Sequence, residues 1–365
     1  MAGLYIHIPF CKSRCIYCGF YSTTAIALRQ PYIDALCQEM ADRASDSIGT
    51  IYLGGGTPSQ LTLDQLQQLF SCLYKYNKVE QDAEVTIEVN PDDVTPELAA
   101  ALPRLSINRV SMGAQTFSDE RLRFLRRRHT SRQVSEAVGR LRKAGISNIS
   151  IDLMYGFPEE TLTQWQQDID RALALDVEHL SAYCLMIEEG TPLYRMQTSP
   201  IDEELERRMY ETLIDRLEAA GYEHYEISNF ARPDFRSRHN SSYWNGTPYI
   251  GIGAAAHSYD IQSRSWNVSD LRRYIEGINH GKRLFEEEIL DEDTRYNDCV
   301  TVGLRTREGI SLKDLSERHR QYCLRNAQRF IDDGLLRLSP DCSHLTLTRR
   351  GLFISDMIMS ELMLV

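Results

Sequence analysis

A chain of 365 residues with 42% hydrophobic and 25% charged side chains has material for two or three ordinary domains, or for one large α/β barrel with an appendage. No segment approaches the roughly 18 consecutive apolar residues of a membrane span, and the start Met1-Ala2-Gly3-Leu4 lacks the features of a secretory signal, so a cytoplasmic location is expected. The formal charge of −11 argues against the basic footprint of a nucleic-acid binder, and no nucleic-acid partner is expected.

The first predicted strand, Leu4–Pro9, runs directly into Cys11-Lys12-Ser13-Arg14-Cys15-Ile16-Tyr17-Cys18. Of nine cysteines, three crowd into these eight residues, while Cys37, Cys72, Cys184, Cys299, Cys323 and Cys342 are scattered. That pattern is not a disulfide framework; in a reducing compartment the tight cluster signals metal, and the scattered cysteines read as small buried hydrophobes. Three thiolates on one loop hold three irons of a cubane and leave the fourth open to an outside ligand. A three-cysteine zinc site is the structural alternative.

Further strands are predicted at Ile51–Leu53, Val85–Val89, Arg109–Met112, Asn148–Met154 and His179–Leu185. Between them, segments such as Leu61–Tyr76 and Thr161–Leu175 place apolar residues at helical spacing. Six βα units imply parallel strands, right-handed crossovers and a barrel or most of one, with ligands at the carboxyl ends of the strands. At or just beyond those ends stand Gly54-Gly55-Gly56-Thr57-Pro58, Glu88, Gln115 and Asp152. Glycines there let a backbone approach a ligand closely. Arg127 lies in the basic run Arg121–Arg128, which otherwise reads as a solvated helix face.

The next helix is the clearest: Asp202 can cap it, Leu205, Met209, Leu213 and Leu217 form one apolar stripe, and Gly221 stands where it should end. Residues 1–221 are therefore read as the barrel. Residues 222–290 change to short extended pieces and turns, read as a connecting or cover region, and contain His239-Asn240-Ser241-Ser242-Tyr243-Trp244. From Asp291 to the end, three helices followed by a hairpin around Ser339–Ser343 predict a small winged-helix-like domain of residues 291–365. Its place on an acidic chain speaks against DNA binding.

The C-x3-C-x2-C arrangement of Cys11, Cys15 and Cys18 after the first strand of a βα series resembles the radical S-adenosylmethionine (SAM) superfamily, whose members carry it on a partial (β/α)6 barrel. The resemblance implies a [4Fe-4S] cluster on those cysteines, with the amino and carboxylate groups of SAM on the open iron. Gly55, Gly56 and Thr57 look like the family's motif for the methionine end of SAM, and by their chemistry Glu88 and Arg127 are expected to serve its charged groups and Gln115 and Asp152 the ribose. Tyr5 and Tyr17 flank the loop, either as shields for cluster and adenine or as core.

Ile6-His7-Ile8-Pro9-Phe10-Cys11, Gly54–Pro58, Ser111–Gln115 and the second-half block narrow the resemblance to the oxygen-independent coproporphyrinogen III oxidase-like family over nearly the whole chain. Oxidases proper add a cysteine two residues after the third and an N-terminal extension. Here Cys18 is followed by Gly19-Phe20 and the first strand begins at Leu4, which resembles the haem-chaperone branch, as does the H-N-x-x-Y-W block. That branch implies haem as bound cargo, with His239 as candidate ligand, Tyr243 and Trp244 lining the macrocycle, and His257 as a weaker candidate. Implied partners are haem or porphyrin, haem-acceptor proteins such as membrane-associated respiratory enzymes, and a second copy of the chain. The alternative activity is that of a coproporphyrinogen III dehydrogenase, which converts propionates to vinyl groups by radical oxidative decarboxylation. A radical methyltransferase that opens haem is the more distant third.

Overall fold

Buried strands alternating with capped crossover helices build the first half of the chain, in a computed structural model that describes residues 1–45 and 47–364. The elements there are β1 (Ala2–Ile8), α1 (Arg29–Asp42), β2 (Ile48–Gly55), α2 (Leu63–Tyr76), β3 (Val79–Val89), α3 (Pro96–Ala101), β4 (Arg109–Gln115), α4 (Asp119–Phe124), α5 (Ser131–Lys143), β5 (Asn148–Tyr155), α6 (Leu162–Ala174), β6 (His179–Cys184), α7 (Pro192–Arg195) and α8 (Glu203–Ala219). Short pieces follow: β7 (Glu223–Glu226), β8 (Asn229–Ala231), α9 (Arg238–Trp244), β9 (Tyr249–Ile252), β10 (His257–Tyr259), β11 (Ser263–Asn267), α10 (Leu271–Asn279) and β12 (Phe285–Ile289). The last region holds α11 (Glu292–Gly303), β13 (Ile310–Ser311), α12 (Glu317–Asp332), β14 (Leu336–Leu338), β15 (His344–Leu347) and α13 (Ser355–Leu362).

Strands β1 to β6 pair in parallel with their sequence neighbours, the partial (β/α)6 barrel expected from the sequence. Helices cover the outer face, so β2 is buried from Ile48 to Gly54, and its run is apolar rather than alternating. Two crossover helices start with the same reciprocal device: Thr62 with Gln65, and Thr161 with Gln164, each exchange side-chain and backbone hydrogen bonds. In α8, Asp202 accepts the backbone N–H of Glu204 at 3.0 Å and of Leu205 at 3.3 Å. Gly221 follows the helix at φ 85°, a conformation in which a Cβ is strained.

Residues 222–290, expected as a connecting or cover region, contribute strands to the barrel sheet. One 12-stranded sheet runs β12-β11-β10-β9-β1-β2-β3-β4-β5-β6-β8-β7, so this region extends both edges of the barrel sheet. Strand β9 pairs in parallel with β1, and β8 antiparallel with β6. The edges of the six-stranded core would otherwise present unpaired backbone groups.

The C-terminal region has its own core, including Tyr296, Val300, Phe330, Leu345 and Ile358, and a sheet ordered β13-β15-β14. Two helices, not three, precede its hairpin and the third follows. Cys37 of α1 and Cys72 of α2 form a disulfide between neighbouring crossover helices, so the scattered cysteines are not all isolated hydrophobes. No helix among the described residues is long and apolar enough to cross a membrane.

Candidate functional site

Inside the barrel lies a cavity of about 610 Å³, in the range of small-molecule sites. Cys11, Cys15, Cys18, Tyr17, Gly55, Gly56, Thr57, Glu88, Gln115, Arg127 and Asp152 all line it. Tyr5 is not among the lining residues. Its hydroxyl bonds His7 Nδ1 at 2.9 Å and its ring stacks on Tyr52 at 6.3 Å, so of its two expected roles the geometry displays core packing.

A chain of polar contacts fixes the cysteine loop. Cys11 Sγ lies 3.5 Å from Thr57 Oγ1, to which Asn90 Nδ2 donates at 3.5 Å. Arg127 donates to Asn90 Oδ1 at 2.6 Å, to the Gly113 carbonyl at 2.5 Å and to Cys15 Sγ at 3.6 Å. Asn90 went unnoticed in the sequence, although it sits two residues after Glu88 at the same strand end. Glycine is needed at Gly56, where backbone stands in the way, and at Gly113 a side chain would displace the cavity-lining amide. A Cβ on Gly56 would lie 2.7 Å from the Pro9 carbonyl carbon and 3.1 Å from Cys11 Sγ, and one on Gly113 would lie 2.7 Å from Gln115 Nε2. The basic run is only partly solvated: Arg123 and Arg126 are exposed, whereas Arg121 pairs with Glu160 at 2.8 Å and Arg128 with Asp92 at 3.0 Å.

The donor set fits an iron–sulfur cubane. Among the described residues no three His, Cys, Asp or Glu side chains converge on a point where one ion could sit. In a cubane each cysteine takes its own iron, and Cys11, Cys15 and Cys18 line one cavity as that requires. Burial pushes the Cys11 and Cys18 thiols up from their ordinary range, a penalty that metal coordination removes by stabilising the thiolate.

Also lining the cavity, Glu88 accepts from the Tyr52 hydroxyl at 2.8 Å and the Gly55 N–H at 3.1 Å, and burial pushes its carboxyl up to about 7. Asp152 accepts from Ser111 Oγ at 3.3 Å, and burial raises it too. Gln115 has φ 68° where β4 slips register against β5 between Gly113 and Gln115. A left-handed non-glycine residue costs on the order of 1–3 kcal/mol, and here it stands at a cavity-lining amide. Two carboxylates and an amide around one space can receive ammonium and hydroxyl donors.

The floor is built by α9, which carries the H-N-x-x-Y-W block. Glu84 accepts the backbone N–H groups of Arg238 and His239, both at 2.9 Å. His239 is fully buried; its Nδ1 lies 2.8 Å from Thr50 Oγ1 and its Nε2 2.9 Å from the Tyr243 hydroxyl. Its ring stacks on Tyr52 at 5.2 Å, and burial pushes the imidazole down to about 3. Both ring nitrogens of His239 are engaged and the ring is buried, so in this arrangement it packs as part of the protein interior. The Tyr243 hydroxyl is held by the same bond, and Trp244 packs under the Arg305 guanidinium at 5.1 Å; neither is among the residues that line the cavity. Asn240 alone in the block lines the cavity. His257 is exposed on an added strand.

Residues 5–172 match the radical SAM superfamily and residues 290–354 the HemN C-terminal domain. The chain is 37% identical over 334 positions to the heme chaperone HemW of Bacillus subtilis, covering 87% of each protein. To the heme chaperone HemW of Mycobacterium tuberculosis it is 34% identical over 378 positions, covering 99% of this chain and 94% of the relative. Coproporphyrinogen III oxidase (HemN) from Escherichia coli superposes with a TM-score of 0.86 over 99% of this chain and 89% of its own, at 23% identity, a likeness of fold. By sequence kinship along its length, the chain belongs to the HemW family of radical SAM proteins.

Proposed function

We propose that this protein is a haem chaperone, which binds haem and passes it to acceptor haem proteins from a barrel that holds a [4Fe-4S] cluster on Cys11, Cys15 and Cys18 and SAM in its cavity. The observation that carries this reading is the near full-length kinship with proteins named heme chaperone. Further support comes from the cavity mouth. Phe20 is 73% exposed, Met186 67% and Tyr183 43%, and all three line the cavity. Large apolar side chains held in water beside a cavity fit a flat apolar ring.

When bound, the cluster supplies an open iron for the amino-acid end of SAM. Arg127 anchors Cys15 beside it, Glu88 and Asp152 receive cationic and hydroxyl groups, and Tyr17 covers the loop from within. Acceptors include membrane-bound haem proteins reached from the cytoplasm, and the working unit is a dimer.

Anaerobically reconstituted protein is offered haem, and separately coproporphyrinogen III with SAM and a reductant. Stoichiometric haem binding followed by transfer to an apo-haem protein, without product from coproporphyrinogen, is the expected result. Protoporphyrinogen formed at catalytic turnover overturns the chaperone in favour of the dehydrogenase.

A further inference from the structure

A run of aromatic rings leads out of the cavity through the floor. It starts at Tyr52, which lines the cavity. From there the ring centroids follow at 5.2 Å to His239, 5.2 Å to Tyr243, 4.7 Å to Tyr249 and 6.1 Å to Tyr259. Tyr52 is buried, whereas Tyr249 and Tyr259, at which β9 and β10 pair, are half-buried and reached by water. The run therefore joins the inside of the barrel to its surface.

Packing accounts for aromatic rings in contact, but not for what their hydroxyls do. Tyr52 donates to Glu88 at 2.8 Å, and the Tyr243 hydroxyl meets His239 Nε2 at 2.9 Å. Tyr5, stacked on Tyr52, meets His7 Nδ1 at 2.9 Å. Each phenol at the inner end thus faces a proton acceptor. Burial pushes the Tyr52 and Tyr243 hydroxyls up, so both keep their protons. A protonated phenol that loses an electron becomes a strong acid, and a base within hydrogen-bond reach lets it shed that proton and later recover it. With Nδ1–H donating to Thr50, the neutral His239 ring offers Nε2 for this exchange.

We infer that Tyr52, Tyr243, Tyr249 and Tyr259 form an electron-transfer chain that carries oxidising equivalents from the cavity to the surface when peroxide reaches the bound iron. This rests on the reading above that the cavity holds a cluster and haem. Peroxide takes up two electrons and two protons and leaves as two waters, and the chain supplies those electrons one at a time. Tyr52 gives up an electron and its O–H bond breaks, the proton moving to Glu88. Across the His239 ring, Tyr243 returns an electron to Tyr52, which recovers its proton, while the Tyr243 proton moves to His239. Tyr249 and then Tyr259 repeat the exchange with solvent protons. Soluble thiols each give a hydrogen atom to restore Tyr259 and couple as a disulfide, so peroxide and two thiols become two waters and one disulfide.

The test treats the full-length chain, reconstituted with cluster and haem, with hydrogen peroxide and a nitrone spin trap, and maps the adducts by peptide mass spectrometry. Wild type should carry more adduct on half-buried Tyr259 than on Tyr74, which is 41% exposed but outside the run. Tyr243→Phe and Tyr249→Phe keep the rings and remove the hydroxyls. At equal iron content each should lose most of the Tyr259 adduct and gain oxidation at Tyr52 and Met154, which line the cavity. If Tyr243→Phe does not fold, Tyr249→Phe, farther from the core, gives the answer. Tyr259 left unlabelled in wild type, or labelled no more than Tyr74, overturns the chain, as does an undiminished Tyr259 adduct in Tyr249→Phe. A wild type that retains neither cluster nor haem overturns the reading of an iron-holding cavity, and this inference with it.

Discussion

At the mouth of the barrel, Cys15, Glu88 and Gln115 turn polar atoms toward a cavity; at its floor, His239 and Tyr243 turn theirs toward each other. Both groups consist of residue types that bind metals and cofactors. The difference lies in what the chain has already given them. Mouth residues are held by backbone N–H groups, glycine contacts and one arginine, which fix their position and leave binding capacity over. Floor residues form a closed set, Glu84 with two backbone N–H groups and Thr50 with His239 and Tyr243, in which little capacity remains. A buried polar group must be paired, so the floor motif reads as architecture that seals the barrel, while the mouth is open to ligands.

The sharpest way to break that contrast is to remove a mouth thiol. Cys15→Ser leaves two thiol ligands and takes the sulfur from Arg127. Reconstituted iron should fall from about four per chain to near zero, read by iron and sulfide analysis. A variant that still loads iron fully would move the cluster away from this loop.

The next test is at the floor. His239→Ala deletes a fully buried ring and strands Thr50 and Tyr243, so stability should fall by about 3 kcal/mol, measured by urea denaturation. The haem absorbance of the fraction that remains folded should match wild type. The opposite pattern, intact stability with a lost haem spectrum, would restore His239 as a ligand.

That outcome also marks how far the sequence could be read. The cysteine loop, the six βα units and the α8 boundaries were legible because each rests on local chemistry: spacing, periodicity, and a cap such as Asp202. The packing of His239 was not legible because its partner Thr50 is 189 residues away, and a ligating histidine looks the same in sequence as a satisfied one. Strands β7 to β12 were missed as parts of the barrel sheet because pieces of three to five residues owe their pairing to neighbours rather than to their own pattern. The Cys37–Cys72 pair likewise depends on the packing of α1 against α2.

A smaller effect at the mouth comes from Glu88. Burial raises its folded value to about 7 from 4.5, with Tyr52 and the Gly55 N–H opposing the shift and Asp152 and Arg109 facing it with opposite signs. Between those values the folded chain holds a proton that the unfolded chain has lost, so stability is greatest below pH 4.5 on this account and declines as pH rises to 7. Glu160, also raised to about 7 by burial, adds a second group in the same window. Glu88→Gln should therefore make the decline in urea midpoint between pH 5 and pH 8 shallower without abolishing it. An unchanged slope would mean that Glu88 is ionised and solvated, and the mouth less sheltered than its geometry implies.

The smallest effect is expected from Trp244, and its smallness is informative. The indole Nε1 is buried without a hydrogen-bond partner among the described residues, so Trp244→Phe removes an unsatisfied donor along with part of the ring. Relief of the buried N–H offsets the lost contact area and the weaker attraction to Arg305, leaving a stability change within about 1 kcal/mol. Haem affinity should also be unchanged, because this ring packs on Arg305 and not on the cavity. A large loss of haem affinity at unaltered stability would place the macrocycle against the floor, and the contrast between the two ends of the barrel would then fail where the motif is strongest.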